Sequence, residues 1–168
     1  MSDTALIIVD LQNDYFENGK WALNGINEAA ANAEKVLAAF RERNLPVFHV
    51  RHEFVGPDAP FFEAGSEGAQ IHHSLTPAEG EPVVLKHEVN SFQHTELKPL
   101  LEQQGIKKLV IVGAMSHMCI DAVTRAAKDF GYENTVLHDA CATLDLTFNG
   151  ITVPSEQVHA AFMAALQF

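Results

Sequence analysis

The chain has 168 residues, of which 47% are apolar and 20% charged, a composition that suits one globular domain with a substantial core. Its 22 acidic and 11 basic side chains give a formal charge of −11 at pH 7, which disfavours binding to nucleic acids and to anionic membrane surfaces. No segment approaches the ~18 consecutive apolar residues of a membrane span, and the first residues lack the basic start of a secretory leader, so we expect a cytoplasmic protein.

Short β-branched runs alternate with longer helical stretches along the chain, a rhythm typical of parallel strands joined by crossover helices. We predict strands at residues 5–9, 46–50, 83–86, 109–112, 135–138 and 151–153. Helices are predicted at residues 27–43, 95–104, 119–131 and from 155 to the C-terminus. The strands are almost continuously apolar, which indicates a sheet covered on both faces. The predicted fold class is therefore α/β, in a single domain over residues 1–168.

Residues 53–82 interrupt this rhythm, because they are rich in Gly and Pro and show little periodicity. Phe54, Phe61 and Phe62 give this long segment apolar surface to bury, whereas disordered segments are poor in aromatic residues. We therefore predict a segment that covers the substrate or contacts another subunit, with disorder as the alternative.

Cys119 follows an apolar strand and a short loop, and it lies in the first turn of a predicted helix. The free N–H groups and the dipole of a helix start favour a thiolate and would stabilise a neighbouring oxyanion, which indicates a nucleophile. The alternative is a small apolar residue that fills space below the helix. With Cys141 as its only companion, Cys119 belongs to no disulfide framework.

Two charged residues end other predicted strands, Asp10 after the first and Lys86 after the third. Because ligands of parallel sheets bind beyond the carboxyl ends of the strands, Asp10, Lys86 and Cys119 are expected at one edge. Together they supply a base for the thiol proton and a cation for the resulting anion. Taken singly, Asp10 would also suit a turn cap, and Lys86 a solvated strand end.

The residues around these three side chains resemble the isochorismatase-like cysteine hydrolases, the superfamily of the nicotinamidases and the N-carbamoylsarcosine amidohydrolases. The resemblance runs from the first strand to the last helix, in order and at suitable separations. It rests on DLQNDY at residues 10–15, KHEVNSF at 86–92, GAMSHMC at 113–119, DACA at 139–142, and His159.

This resemblance implies a three-layer α-β-α fold around a six-stranded parallel sheet of order 3-2-1-4-5-6, and a homo-oligomer in which a neighbouring subunit often completes the site. It also implies that Asp10 is the general base, Lys86 its cationic partner and Cys119 the nucleophile. A cis peptide would join Ala114 to Met115, and the N–H groups of Met115 and Cys119 would form the oxyanion hole.

The implied chemistry is hydrolysis of a small amide or other C–N substrate through a thioester on Cys119, without a cofactor. Isochorismatases proper do not use a cysteine nucleophile, so Cys119 argues against vinyl-ether hydrolysis. A non-catalytic protein with a redox-responsive Cys119 is the alternative function.

The chain departs from the nicotinamidases where these bind a metal through an Asp-x-His pair after the second strand. It has Arg51, His52 and Glu53 there, a cation in place of an acidic ligand, so we predict no metal. His72 and His73 are neighbours in extended chain and point apart, so they do not supply the missing ligands.

Five residues are candidate substrate contacts. Arg51 would hold a substrate carboxylate, with pairing to Glu53 or plain solvation as its alternative. His117 stands where many relatives have Asp, and would contact substrate, titrate, or fill space. Phe16, Trp21 and Phe92 would wall an apolar pocket, although such aromatic residues are often simply core.

Overall fold

The computed structural model describes residues 2–56 and 58–167, and its centre is a parallel sheet of five strands. The strands are β1 (Thr4–Val9), β2 (Val47–His52), β3 (Val83–Lys86), β4 (Lys108–Ala114) and β5 (Glu133–Ala142), in the order β3-β2-β1-β4-β5. Every strand pair in this sheet is parallel, as short apolar strands with crossover connections predict. The predicted α/β class and the strand order through the fifth strand are confirmed.

The prediction of a sixth parallel strand is wrong for the described residues. Ile151–Val153 forms β7, which pairs antiparallel with β6 (Leu146–Phe148) as a separate two-stranded sheet. The turn between them is Asn149-Gly150, and both residues have positive φ, 49° and 77°. Positive φ at both central positions is the geometry of a tight hairpin, so the chain folds back on itself before it can join the main sheet.

Four helices cover the two faces of the sheet: α1 (Ile26–Glu42), α2 (Leu97–Gln103), α3 (Asp121–Asp129) and α4 (Ser155–Ala165). Leu6 and Ile8 of β1 face a core that contains the buried side of α1. Ala5, Ile7 and Val9 of the same strand face a second core, with apolar residues of α2 and α3. Alternate side chains of β1 thus pack into two apolar cores, one on each face of the sheet. Because helices cover both cores, the arrangement has three layers. No helix in the described ranges is long and apolar enough to cross a membrane.

Residues 53–82 form an excursion that packs on the loop after β1. Phe61 and Phe62 are buried, with ring centroids 5.6 and 4.5 Å from that of Tyr15. The Asp14 carboxylate accepts the Phe62 N–H at 2.7 Å. Gln12 donates to the backbone oxygens of His52 and Ala69, at 2.8 Å each, and accepts the His52 N–H at 2.7 Å. Buried aromatic rings and backbone hydrogen bonds therefore hold the excursion in place.

Candidate active site

Asp10, Lys86 and Cys119 meet at the carboxyl edge of the sheet. Asp10 follows β1, Lys86 is the last residue of β3, and Cys119 lies in a π-helical turn, Ser116–Ile120, between β4 and α3. The Lys86 ammonium is 2.8 Å from Asp10 Oδ2 and donates to Cys119 Sγ at 3.3 Å. The three residues are only 0%, 1% and 5% exposed, respectively. The side chains that the strand-end argument grouped together are thus in contact.

The backbone around this cluster takes unusual conformations. Asp10 has a φ of 53°, in the left-handed region that Asp tolerates better than most residues. The peptide bond between Ala114 and Met115 is cis. Gly113 has a φ of 135°, and a Cβ there would lie 2.0 Å from the carbonyl oxygen of Val9. Glycine at position 113 therefore lets the end of β4 approach the end of β1, which brings the Cys119 loop to Asp10.

Burial affects the two members of the ion pair differently. At Asp10, burial raises the carboxyl pKa above its usual value, although the charge of Lys86 acts in the opposite direction. At Lys86, burial acts to lower the pKa, but Asp10 and Cys119 outweigh it and leave the pKa above its usual value. The charged form of Lys86 is therefore stabilised, whereas the Asp10 carboxylate takes up a proton more readily than an exposed carboxylate does.

The surroundings of the Cys119 thiol oppose the thiolate that its position at a helix start favours. Burial and the neighbouring Asp10 carboxylate raise the pKa of the thiol well above its usual value, and Lys86 offsets only part of this. Asp10 Oδ2 is 2.8 Å from the Lys86 ammonium, whereas Oδ1 has no hydrogen-bond partner among residues 2–56 and 58–167. The carboxylate therefore has free lone pairs with which to accept the thiol proton.

His52 also contacts the ammonium, a contact that the sequence analysis missed. Its Nδ1 is 2.9 Å from Lys86 Nζ, and the ammonium donates further to the backbone oxygen of Glu88 at 3.1 Å. β2 ends at His52, two residues beyond its predicted end. Had the strand been predicted to end at residue 52, His52 would have been grouped with Asp10 and Lys86 as a polar residue at a strand end.

The two polar candidate substrate contacts already have partners. Arg51 Nη1 is 2.5 Å from Glu53 Oε1, so the guanidinium is paired within its own strand end. His117 is half-buried, and its Nδ1 is 2.7 Å from the Thr143 hydroxyl, next to the ring of Phe162. For either side chain to bind a substrate through these atoms, the present partner would have to be exchanged.

The three aromatic candidates occupy separate environments. Phe16 is buried and stacks on His72 with the centroids 3.7 Å apart. Trp21 is 38% exposed and stacks on Phe61. Phe92 is buried in the apolar cluster that also contains Cys119. Of the three, Phe92 shares a cluster with the candidate nucleophile, whereas Phe16 and Trp21 border the excursion.

The ligands of a metal site are not assembled here. Across residues 2–56 and 58–167, no group of three or more His, Cys, Asp or Glu side chains is placed to hold a metal ion. His52 uses Nδ1 for Lys86, and the neighbouring Arg51 is a cation, so the end of β2 does not fit the metal of the nicotinamidases.

Two surface cavities, of about 710 and 510 Å³, lie elsewhere on the molecule. Residues of α3, β5 and α4 line the first, and residues near the starts of α1 and α4 line the second. Neither cavity is lined by Asp10, Lys86 or Cys119.

Comparisons with known proteins agree with one another. The family model for the Isochorismatase domain matches residues 4–166. An uncharacterized isochorismatase family protein of Bacillus subtilis is 52% identical over 97% of this chain and 91% of its own. A crystal structure of a protein named as an isochorismatase hydrolase from Oleispira antarctica is 63% identical, with a TM-score of 0.95 over 98% of this chain and 89% of that one. The N-carbamoylsarcosine amidase of Thermoplasma acidophilum is 28% identical, with a TM-score of 0.78 over 83% and 84% of the two chains.

Proposed function

Because the chain belongs to the isochorismatase family, which includes hydrolases, we propose that it hydrolyses a carbon–nitrogen bond of a small amide with Cys119 as the nucleophile. One observation carries this proposal: a buried ammonium contacts a carboxylate at 2.8 Å and a thiol at 3.3 Å. A nucleophile, a base and a fixed positive charge are the groups that acyl transfer through a cysteine requires. Similarity to an amidase supports the choice of a C–N bond.

Each member of the cluster has one task. Asp10 takes the thiol proton, since its oxygens are free of other hydrogen bonds and burial raises its pKa. Lys86 stays charged and compensates the negative charge that passes from Asp10 to the sulfur and onto the substrate oxygen. Cys119 attacks as its proton leaves, because its raised pKa leaves little free thiolate beforehand.

The reaction proceeds in two halves. The sulfur of Cys119 bonds to the carbonyl carbon while Asp10 receives the thiol proton, and the tetrahedral intermediate carries an oxyanion. The C–N bond breaks, and the amine leaves with the proton from Asp10. A water molecule then attacks the thioester, Asp10 takes a proton from it, and the C–S bond breaks to release the acid. That proton returns to the sulfur, which restores the thiol.

We place the oxyanion at the N–H groups of Met115 and Cys119. Cys119 lies in the first turn of a helical segment that continues into α3, and N–H groups there lack partners within the helix. The helix dipole adds partial positive charge at this end. Met115 immediately precedes the turn, next to the cis peptide.

The remaining elements of the proposal concern the substrate and the assembly. Phe92 shares an apolar cluster with Cys119 and is the proposed aromatic wall of the site. Phe16, Trp21, Arg51 and His117 remain proposed substrate contacts, and the proposed reaction uses no cofactor. We also propose a single hydrolase domain that works as a homo-oligomer. The exposed tip of the β6–β7 hairpin supports the second point, since Phe148 and Ile151 are 78% and 68% exposed.

A panel of small amides, examined by intact-mass spectrometry after a rapid acid quench, tests the proposal. We expect an acyl adduct on Cys119 and release of the amine, both lost in Cys119→Ala. Cys141→Ala is the matched control, because Cys141 is also a buried thiol, with a pKa raised by burial to about 12. An active Cys119→Ala variant would contradict the proposal. Oxidation of Cys119 to sulfenic acid by peroxide, with no acyl adduct from any amide, would instead indicate a redox sensor.

A further inference from the structure

We propose that His52 is a positioning residue that fixes the ammonium of Lys86 against Asp10 and Cys119 by accepting one of its N–H bonds. The inference rests on the proposed function, since it assigns a task to a side chain that contacts the cluster without belonging to the triad. Three observations support it: the register of β2 against β3, the number of acceptors around Lys86 Nζ, and the buried, unpartnered Nε2 of His52.

Register places His52 beside Lys86. The two residues are direct partners in the parallel pairing of β2 with β3, so their side chains leave the sheet on the same face. His52 is 5% exposed, and its backbone N–H and C=O are both bonded to the buried side chain of Gln12. The imidazole is therefore carried by a fixed backbone position, as a group that orients another must be.

The Lys86 ammonium has fewer N–H donors than there are acceptor atoms around it. Lysine offers three donors, and four acceptors surround Nζ: Asp10 Oδ2 at 2.8 Å, His52 Nδ1 at 2.9 Å, the Glu88 oxygen at 3.1 Å and Cys119 Sγ at 3.3 Å. Two of these acceptors, His52 Nδ1 and the Glu88 oxygen, take no part in the proposed chemistry, and His52 Nδ1 is the closer of the two to Nζ. By holding one N–H, it leaves two N–H bonds for the carboxylate, the sulfur and the Glu88 oxygen, which fixes the orientation of the ammonium.

The tautomer of His52 follows from this contact. Burial, then the charges of Lys86 and His87, lower the pKa of His52 to about 3, so the ring is neutral at physiological pH. A lone pair on Nδ1 faces the ammonium, and the ring proton is consequently on Nε2. Nε2 is buried and has no hydrogen-bond partner in the described ranges, while the ring packs 4.4 Å from that of Phe54.

A residue that only filled space would not need this arrangement. An apolar side chain of similar size would pack against Phe54 without burying an unpartnered N–H, which costs free energy. The ionisable groups around the His52–Lys86 contact are Asp10 after β1, His87 after β3 and Cys119 before α3. The Tyr15 hydroxyl, whose pKa is raised well above normal by burial and by Cys119 and Asp10, completes the set. Among these groups, His52 is the neutral acceptor placed against the ammonium.

The first test uses the unaltered protein. Two-dimensional ¹⁵N NMR of the histidine rings reports which nitrogen carries the proton, and His52→Asn assigns the His52 signals. We expect an unprotonated Nδ1 and a protonated Nε2 at neutral pH. A ring protonated on Nδ1, or on both nitrogens, would overturn the proposal because Nδ1 would then have no lone pair for Lys86.

The second test measures the pKa of Lys86 by ¹³C NMR of labelled lysine side chains, assigned with Lys86→Met. In His52→Phe, the ammonium loses an acceptor, so its pKa should fall by about one unit. His52→Asn keeps an acceptor oxygen at the position of Nδ1 and should restore most of the shift. His49→Phe is the matched control, because His49 is 1% exposed in the same strand and pairs with Glu81 instead.

The same variants connect the contact to catalysis. With 4-nitrophenyl acetate as the acylating probe, the acylation rate of Cys119 should fall about tenfold in His52→Phe and by less than about threefold in His52→Asn. An unchanged Lys86 pKa in folded His52→Phe would overturn the inference, and if that variant does not fold, the ring measurement decides. A shifted Lys86 pKa without acylation by any substrate would sink the proposed hydrolase and leave the positioning role standing.

Discussion

Replacing Lys86 by Met should cost about 3–5 kcal/mol of folding stability at neutral pH, because it leaves the Asp10 carboxylate buried without its cation. Asp10 is 0% exposed, its Oδ2 is 2.8 Å from the Lys86 ammonium, and its Oδ1 has no hydrogen-bond partner among the described residues. Nothing in its surroundings replaces the ammonium, so the full penalty of an unpaired buried charge applies. Stabilities of whole domains are about 5–15 kcal/mol, so the loss is easily measured.

The double variant Asp10→Asn/Lys86→Met should recover most of this loss. It removes both charges, and exchange of a buried ion pair for neutral groups is often neutral or stabilising. Asn also tolerates the left-handed conformation of Asp10, which has a φ of 53°, so the backbone adds little cost. The recovery would identify the unpaired charge, rather than lost packing around residue 86, as the cause of the instability.

The penalty should also depend on pH with a defined sign. Burial raises the pKa of Asp10 in the folded state above its ordinary value of 3.8, and loss of Lys86 raises it further. A raised folded pKa contributes stability below the unfolded value and loses it as the pH rises through the folded value. Lys86→Met should therefore approach the wild-type stability near pH 4 and fall behind it toward pH 8.

Urea unfolding at a series of pH values, followed by fluorescence of the single tryptophan, Trp21, measures these free energies. Lys98→Met is the matched control, since Lys98 forms an exposed i,i+4 pair with Glu102 that should contribute less than about 1 kcal/mol. A Lys86→Met variant within about 1 kcal/mol of the wild type at pH 8 would refute the reasoning. So would a double variant no more stable than the single one.

Two further changes have calculable effects. Gln12→Leu removes the side chain that bonds the backbone N–H and C=O of His52 and the oxygen of Ala69. It should lower the free energy of unfolding in urea by about 3 kcal/mol and speed amide exchange over residues 61–75. Amide protection equal to that of the wild type would contradict this expectation. Glu81→Gln should remove about 2 kcal/mol of acid-sensitive stability, because the hydrogen bond from Arg41 lowers the pKa of Glu81 from 4.5 to about 2. That stabilisation is present above pH 4.5 and lost as the pH falls through about 2, so an unchanged pH slope in the variant would exclude it.

The central sheet was predictable because strands buried on both faces appear in the sequence as short apolar runs. The ends of those runs are less informative, since pairing continues through residues whose own pattern is mixed. β5 extends to Ala142, past His138 and Asp139, where its register against β4 shifts between Ile111 and Gly113. A register shift of this kind depends on the neighbouring strand, and no pattern within β5 itself indicates it.

The β6–β7 hairpin was missed although a signal for it was present. Three β-branched residues at 151–153 do not indicate which strand they pair with, and the family resemblance favoured the main sheet. Asn149-Gly150 between the segments LTF and ITV is a strong hairpin signal, and here it outweighs the resemblance.

At the candidate site, residue types at strand ends were enough to group Asp10, Lys86 and Cys119. The raised pKa of the Cys119 thiol was not predictable from the sequence, because a helix start favours the thiolate while burial opposes it. The extent of burial depends on the whole fold. The contact between His52 and Lys86 requires the register of β2 against β3, which the sequence does not specify.

The hydrogen bonds that attach the 53–82 excursion have a consequence for how far its sequence can vary. Gln12, Asn13 and Asp14 bind it through main-chain atoms, namely the oxygens of Ala69 and Glu67 and the N–H of Phe62. Main-chain atoms are common to all residue types, so most side chains along the excursion can be exchanged without loss of these bonds. Homologous chains can therefore vary the surface of this excursion while its attachment to the loop after β1 stays constant.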